Sequence, residues 1–125
     1  MESFALSETY KEEGDTGMIK PSKVVFISQE FEDSFNALDD NDFIKKSIIR
    51  VVCDLRVNAF CGIQIPKRLI PNEYIHKYGI NNLWKIDLPK GWRLLYTVTP
   101  ENEIILISAI LEWFSHKNYE RKFKY

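Results

Sequence analysis

The residues best equipped for chemistry crowd the end of the chain. The last ten, HKNYERKFKY, hold His116, Tyr119, a closing tyrosine and four cations, Lys117, Arg121, Lys122 and Lys124. A histidine can both give and take a proton near pH 7, a tyrosine can stack on a base or donate, and lysine and arginine neutralise phosphate. Together they suit proton transfer on a polyanion. The same set also describes a solvated chain end, so the preceding elements have to discriminate.

Other chemistries are poorly served. Cys53, Cys61, His76 and His116 are the only cysteines and histidines, and no CxxC or HxxxH pair brings them to the spacing of a compact zinc site. No metal or other cofactor is expected, and the two cysteines, falling in different elements, are expected to be buried free thiols. The charge total of −1 hides an asymmetry: residues 1–22 carry five acids and two bases (−3), whereas the last ten carry four bases and one acid (+3). The cationic footprint is thus local and terminal. No apolar run approaches the roughly 18 residues that span a bilayer, and the acidic start lacks the pattern of a signal peptide. A cytoplasmic protein without membrane contact is the expectation.

The elements that must position these residues can be read from their periods. Residues 1–22 show no sustained pattern and are expected to form a mobile acidic tail, leaving 23–125 as one domain. KVVFIS fits a buried strand. Ser28 can cap a helix with Phe31, Phe35 and Leu38 on one face, and Asp42 a second with Ile44, Ile48, Val51, Val52 and Leu55. Residues 58–82 are irregular, with one helical turn near NEYIHKY. Beyond them LWKIDLPKGWRLLYTV alternates as two strands of a hairpin. Only a three-residue loop, Pro89 to Gly91, puts Trp84, Ile86, Leu88, Trp92, Leu94, Tyr96 and Val98 on one face. That register sets Asp87 opposite Arg93 and Lys85 opposite Leu95. EIILISAIL, apolar on both faces, reads as a central strand. The order β-α-α-β-β-β implies an α+β domain, a small antiparallel sheet with a helical hairpin over one face.

This layout, with LWKIDLPKGWRLLYTV, an apolar strand and then HKNYE, resembles the RelE/ParE toxin superfamily in its messenger-RNA-cleaving branch. The resemblance covers residues 23–125 in layout and 83–120 in motif. It implies a type II toxin-antitoxin protein that inhibits translation as a metal-independent endoribonuclease (mRNA interferase), with mRNA, the ribosome and a cognate antitoxin as partners. The ribose 2′-OH attacks its own neighbouring phosphate and the 5′-oxygen of the next nucleotide leaves. On this resemblance Arg93 is the phosphate clamp, His116 the acid or base, and Tyr119 the stacking or proton-donating aromatic. Lys85, Lys117, Arg121, Lys122 and Lys124 would contact the RNA backbone.

Two departures remove charge from that set. Asp87 stands where many family members carry a second cation, and Trp113 and Phe114 stand where some carry a further arginine. The competing reading is a non-catalytic protein- or RNA-binding module of the same fold, in which Asp87 pairs Arg93 and the terminal aromatics pack on the core. The acidic tail folding back over the basic terminus is a further expectation, one that salt would screen within about 10 Å at 0.1 M.

Overall fold

A computed structural model describes residues 19–123. The run SKVVF extends as β1 (Ser22–Phe26). Ser28 then caps α1 (Gln29–Asn36), its hydroxyl accepting from the Phe31 amide at 3.3 Å. Asp42 caps α2 (Phe43–Val57) by accepting from the Ile44 amide at 2.8 Å. Each such cap contributes ~1 kcal/mol by satisfying a donor the helix cannot. The chain continues through β2 (Ile63–Gln64), a 3₁₀ turn at Lys67–Leu69, α3 (Asn72–Tyr78), β3 (Trp84–Asp87), β4 (Arg93–Pro100), β5 (Leu106–Phe114) and α4 (His116–Phe123).

The five strands form one sheet in the order β1-β5-β4-β3-β2, so the fold is mixed helix and sheet. Three pairings are antiparallel, but β1 runs parallel to β5, with Val24 opposite Ser108, and the sheet is mixed where a purely antiparallel one was expected. The reason lies in the connection. Parallel neighbours need a long crossover, and everything from α1 to β4 separates β1 from β5. The hairpin register is the expected one: Asp87 pairs with Arg93, Lys85 with Leu95, and the Leu88 amide reaches the Trp92 carbonyl at 2.8 Å. Lys90 and Gly91 both take positive φ (62° and 81°), as a tight three-residue reversal requires.

Both faces of the sheet are covered. On one, Ile44, Ile48, Val51 and Leu55 of α2 bury against Leu88, Leu94, Tyr96, Val98 and Ile110, with Trp84, Ile86 and Trp92 at the margin. The other face, unassigned by sequence, is sealed by Ile65, Ile70, Tyr74, Ile80 and Leu83 from the 58–82 segment and by Tyr119 of α4, over Leu95, Leu111 and Phe114. That segment therefore holds more order than one turn, and the terminal stretch is a helix. Cys53 and Cys61 are free but exposed, a correction to the buried thiols expected. Cys53 lies on the side of α2 away from its buried residues. Residues 1–18 of the expected tail lie outside the described residues, whereas Lys20 is tied down: its amide donates to Asn58 Oδ1 at 3.1 Å and its carbonyl accepts from Ala59 at 2.6 Å.

One close approach is worth a test. The Gly62 amide donates to the Tyr96 hydroxyl at 3.0 Å, and that hydroxyl donates to the Ala59 carbonyl at 2.8 Å. A Cβ on Gly62 would meet the Lys85 carbonyl oxygen at 2.7 Å, Tyr96 Oη at 2.9 Å and Ile86 Cγ1 at 3.0 Å. Backbone cannot yield cheaply, so Gly62→Ala is expected to cost about 1 to 3 kcal/mol in a urea-unfolding measurement.

Candidate functional site

Arg93, Lys85 and Tyr119 come together on the sheet face opposite α2. The hairpin register turns Lys85 and Arg93 away from the α2 core. On that side Tyr119 fills the hole between them. Arg93 Cζ lies 5.4 Å and Lys85 Nζ 5.8 Å from the centroid of the Tyr119 ring. Two cations flanking one aromatic ring gain quadrupole attraction that offsets part of their mutual repulsion. Tyr119 itself is only 4% exposed and packs on Phe114 (5.9 Å between centroids) and Phe123 (4.6 Å).

Asp87 closes the cluster. Its Oδ1 stands 3.0 Å from Arg93 Nε and 3.5 Å from Lys85 Nζ, so one half-exposed carboxylate is shared by both cations. The Arg93 Nε–H is nevertheless buried without an aligned acceptor among the described residues, which makes this contact Coulombic rather than a directed hydrogen bond. Nη1 donates to the Gly91 carbonyl at 2.9 Å and more weakly to Trp92 at 3.4 Å, which fixes the plane of the guanidinium. With its side chain 19% exposed, Arg93 keeps one edge toward solvent.

His116 opens α4 directly beside the hairpin turn. A Cβ built on Gly91 would touch His116 Cβ at 3.4 Å, so the residue that accepts from Arg93 also adjoins the histidine. Ser115 starts the helix, its carbonyl accepting from the Tyr119 amide at 2.8 Å. His116 Nε2 lies 2.9 Å from Glu120 Oε2, an i,i+4 pair on the outer surface. Glu120 was not singled out by sequence reasoning; its spacing from His116 would have revealed it once the terminus was read as helical.

The remaining cations distribute differently. Lys117 is exposed, Arg121 reaches Asn118 Oδ1 at 3.4 Å, and Lys124 lies outside the described residues. Lys122 is engaged with Glu73 of α3 at 2.6 Å, over the Tyr74 ring. Arg121 and Lys122 border a cleft of about 540 Å³ with Glu73, Glu112, Trp113 and Phe114, so its lining is of mixed charge. Behind this lining the buried Tyr74 donates to Glu112 Oε1 at 2.5 Å, and burial, reinforced by that carboxylate, pushes the Tyr74 hydroxyl well above its ordinary pKa. Tyr74 therefore stays a neutral strut. The β4–β5 ladder slips between Leu95 and Tyr96, and this bulge turns Leu111 and Glu112 toward the same side.

Trp113 and Phe114, the positions where a further cation was sought, serve packing. Trp113 meets Phe26 and Phe31 edge-on at 6.2 and 6.0 Å, on the α1 side of the sheet, and Phe114 backs Tyr119. Among the described residues no three His, Cys, Asp or Glu side chains are grouped to hold a metal ion, and no helix is long and apolar enough to cross a membrane. Comparison with family models, curated proteins and solved structures finds no match for this chain.

Proposed function

We propose that the Lys85–Arg93–Tyr119 face binds an RNA backbone and that the protein is a RelE-like, metal-independent endoribonuclease, a toxin acting on messenger RNA at the ribosome and held in check by an antitoxin. The observation that carries this reading is the convergence of two cations on one aromatic ring beside a histidine. Arg93 would meet a non-bridging phosphate oxygen through Nη2, which makes no hydrogen bond among the described residues, while its buried Nε stays against Asp87. Such donors gain strength as the attacked phosphorus becomes pentacoordinate and its oxygens take up charge. His116 would move one proton, removing it from the attacking 2′-OH or returning it to the leaving 5′-oxygen, with Glu120 fixing the imidazole. Lys85 adds charge without directed geometry.

A second reading has an observation of its own. Asp87 sits between both cations, and Tyr119 is buried, which suits a non-catalytic module held together by an ion-paired cluster. Asp87→Asn separates the two. If the face binds phosphate, removing the competing carboxylate raises RNA affinity about fivefold at low salt, the equivalent of ~1 kcal/mol for a half-exposed pair. A purely structural cluster instead gives unchanged RNA binding and a lower melting temperature.

The reaction itself is tested in cells. Induction of the wild type should arrest growth and create new 5′ ends in messenger RNA, visible by primer extension, and His116→Ala should suppress both. Wild-type protein that accumulates folded and leaves transcripts intact would remove the nuclease reading.

A further inference from the structure

The outermost strands of the sheet are guarded against a further strand. β1 begins behind Pro21 and carries Lys23, and β2 is only Ile63–Gln64 with Pro66 close behind, devices that discourage edge pairing. The open stretch is the end of β5. β1 accompanies it only as far as Ile110, whose carbonyl takes the Ile27 amide at 2.8 Å, because Ser28 then turns the chain into α1. Residues 111–114 continue with β4 on one side and, among the described residues, no strand on the other. This run, LEWF, holds neither Pro nor Lys, and its one charge, Glu112, is turned under the sheet to accept from Tyr74.

The register says which backbone groups face out. The bond from the Leu88 amide to the Trp92 carbonyl makes Trp92, Leu94 and Tyr96 the residues of β4 that address β3, so Arg93 and Leu95 address β5. Their partners Phe114 and Glu112 point their amides and carbonyls inward, and Trp113 between them points its own outward. A cleft of about 540 Å³ that Trp113 lines adjoins this edge, walled by Glu73 of α3 and by Asn118, Arg121 and Lys122 of α4. Most of its charge is engaged. Lys122 pairs with Glu73 at 2.6 Å and Glu112 holds the Tyr74 hydroxyl, whereas Arg121 is exposed, reaches only Asn118 Oδ1 at 3.4 Å and makes no ion pair among the described residues. On the α1 side the Trp113 ring stands against Phe26 and Phe31.

We propose that this edge receives a short extended segment of another protein, which pairs with the Trp113 backbone as an added strand. Side chains of a strand alternate between faces. The segment therefore turns apolar residues toward the Trp113 ring and an acidic one toward Arg121. Strand addition draws its affinity from main-chain hydrogen bonds and its choice of partner from the alternating side chains. A peptide backbone offers both an acceptor for the Trp113 amide and a donor for its carbonyl, whereas a row of phosphates offers acceptors alone. The acid is fixed by charge: both carboxylates of the cleft are already partnered and Arg121 is the cation left over. RNA cleavage is not required for this use of the edge, because Trp113 and Arg121 take no part in the Lys85–Arg93–Tyr119 cluster.

A short synthetic peptide alternating valine and glutamate, titrated into the isotope-labelled full chain, tests it by amide shifts and hydrogen exchange. At about 3 mM peptide and a dissociation constant of about 1 mM, exchange of the Trp113 amide should slow about fourfold, with shifts confined to residues 110–114 and 118–122. Arg121→Glu, a change at an exposed position, should weaken that peptide about fivefold and strengthen the same peptide carrying lysine in place of glutamate. Proline at the central valine, which cannot donate to the ladder, should remove the protection. Unchanged Trp113 exchange at that concentration, or shifts centred on Lys85 and Arg93, would overturn the proposal. So would Trp113 protection that rises with protein concentration without peptide, because the edge then belongs to a second copy. Protection by a uridine oligonucleotide but not by the peptide would overturn it too, since the cleft is then an RNA surface.

Discussion

On the proposed nuclease function, Arg93→Ala is expected to lower RNA cleavage by about 10² to 10³, the equivalent of losing one preorganised donor to a developing oxyanion, ~3 to 4 kcal/mol of barrier. The fold should survive this change. Asp87 keeps Lys85 as a partner and is itself 56% exposed, so no buried charge is stranded, and the melting temperature should report about 1 kcal/mol of lost packing on Tyr119. Arg93→Lys sharpens the test. It restores the charge but not the planar fork whose Nη1 is pinned by the Gly91 carbonyl, so binding at low salt should recover more than the rate does. Cleavage by Arg93→Ala within twofold of wild type would mean that the guanidinium serves only the ion pair with Asp87. A combined Asp87→Asn, Arg93→Ala protein completes the cycle: non-additive effects on rate show that the carboxylate acts through Arg93.

The relation of Asp87 to Arg93 was legible in the sequence because strand faces alternate. Placing Trp84, Ile86 and Leu88 on the same side as Trp92, Leu94 and Tyr96 admits one loop length, and the polar pairs follow from it. The caps at Ser28 and Asp42 were legible for a similar reason, since a side-chain acceptor just before an apolar repeat has one use. What failed to show was whatever depends on distant chain. Nothing local in SKVVF says that it will lie parallel to β5, nor that β5 will bulge at Leu111. Ile65, Ile70, Tyr74, Ile80 and Leu83 follow neither a two- nor a 3.6-residue period, because a segment broken by Pro66 and Pro71 contributes single anchors rather than a face. The terminal helix was missed on length and polarity. Eight residues give little periodicity, although the pairs His116/Glu120 and Tyr119/Phe123 both sit four apart. The exposure of Cys53, by contrast, was available: with Ile44, Ile48, Val51 and Leu55 inward, position 53 faces out.

The missed helix changes what Tyr119 is expected to do, and Tyr119→Ala should be the most destabilising single change at the site. The ring closes the second core between Phe114 and Phe123 and is 4% exposed, so its removal should cost about 3 to 5 kcal/mol, as aromatic deletions from cores do. Against a typical domain stability of roughly 5 to 15 kcal/mol, that lowers the melting temperature by roughly 15 °C or more. It would also release Lys85 and Arg93 from their shared support, so lost cleavage in this variant says nothing about chemistry. Tyr119→Phe separates the roles. The ring and both cation contacts remain, and the stability change should stay near 1 kcal/mol. If the hydroxyl donates to the leaving oxygen, the rate falls steeply while RNA binding and melting hold. An unchanged rate makes Tyr119 a positioning residue whose face orients the guanidinium and ammonium groups, and it leaves the proton transfers to His116. The burial of the ring favours that second outcome, because a base could stack on it only after α4 had moved away from Phe114.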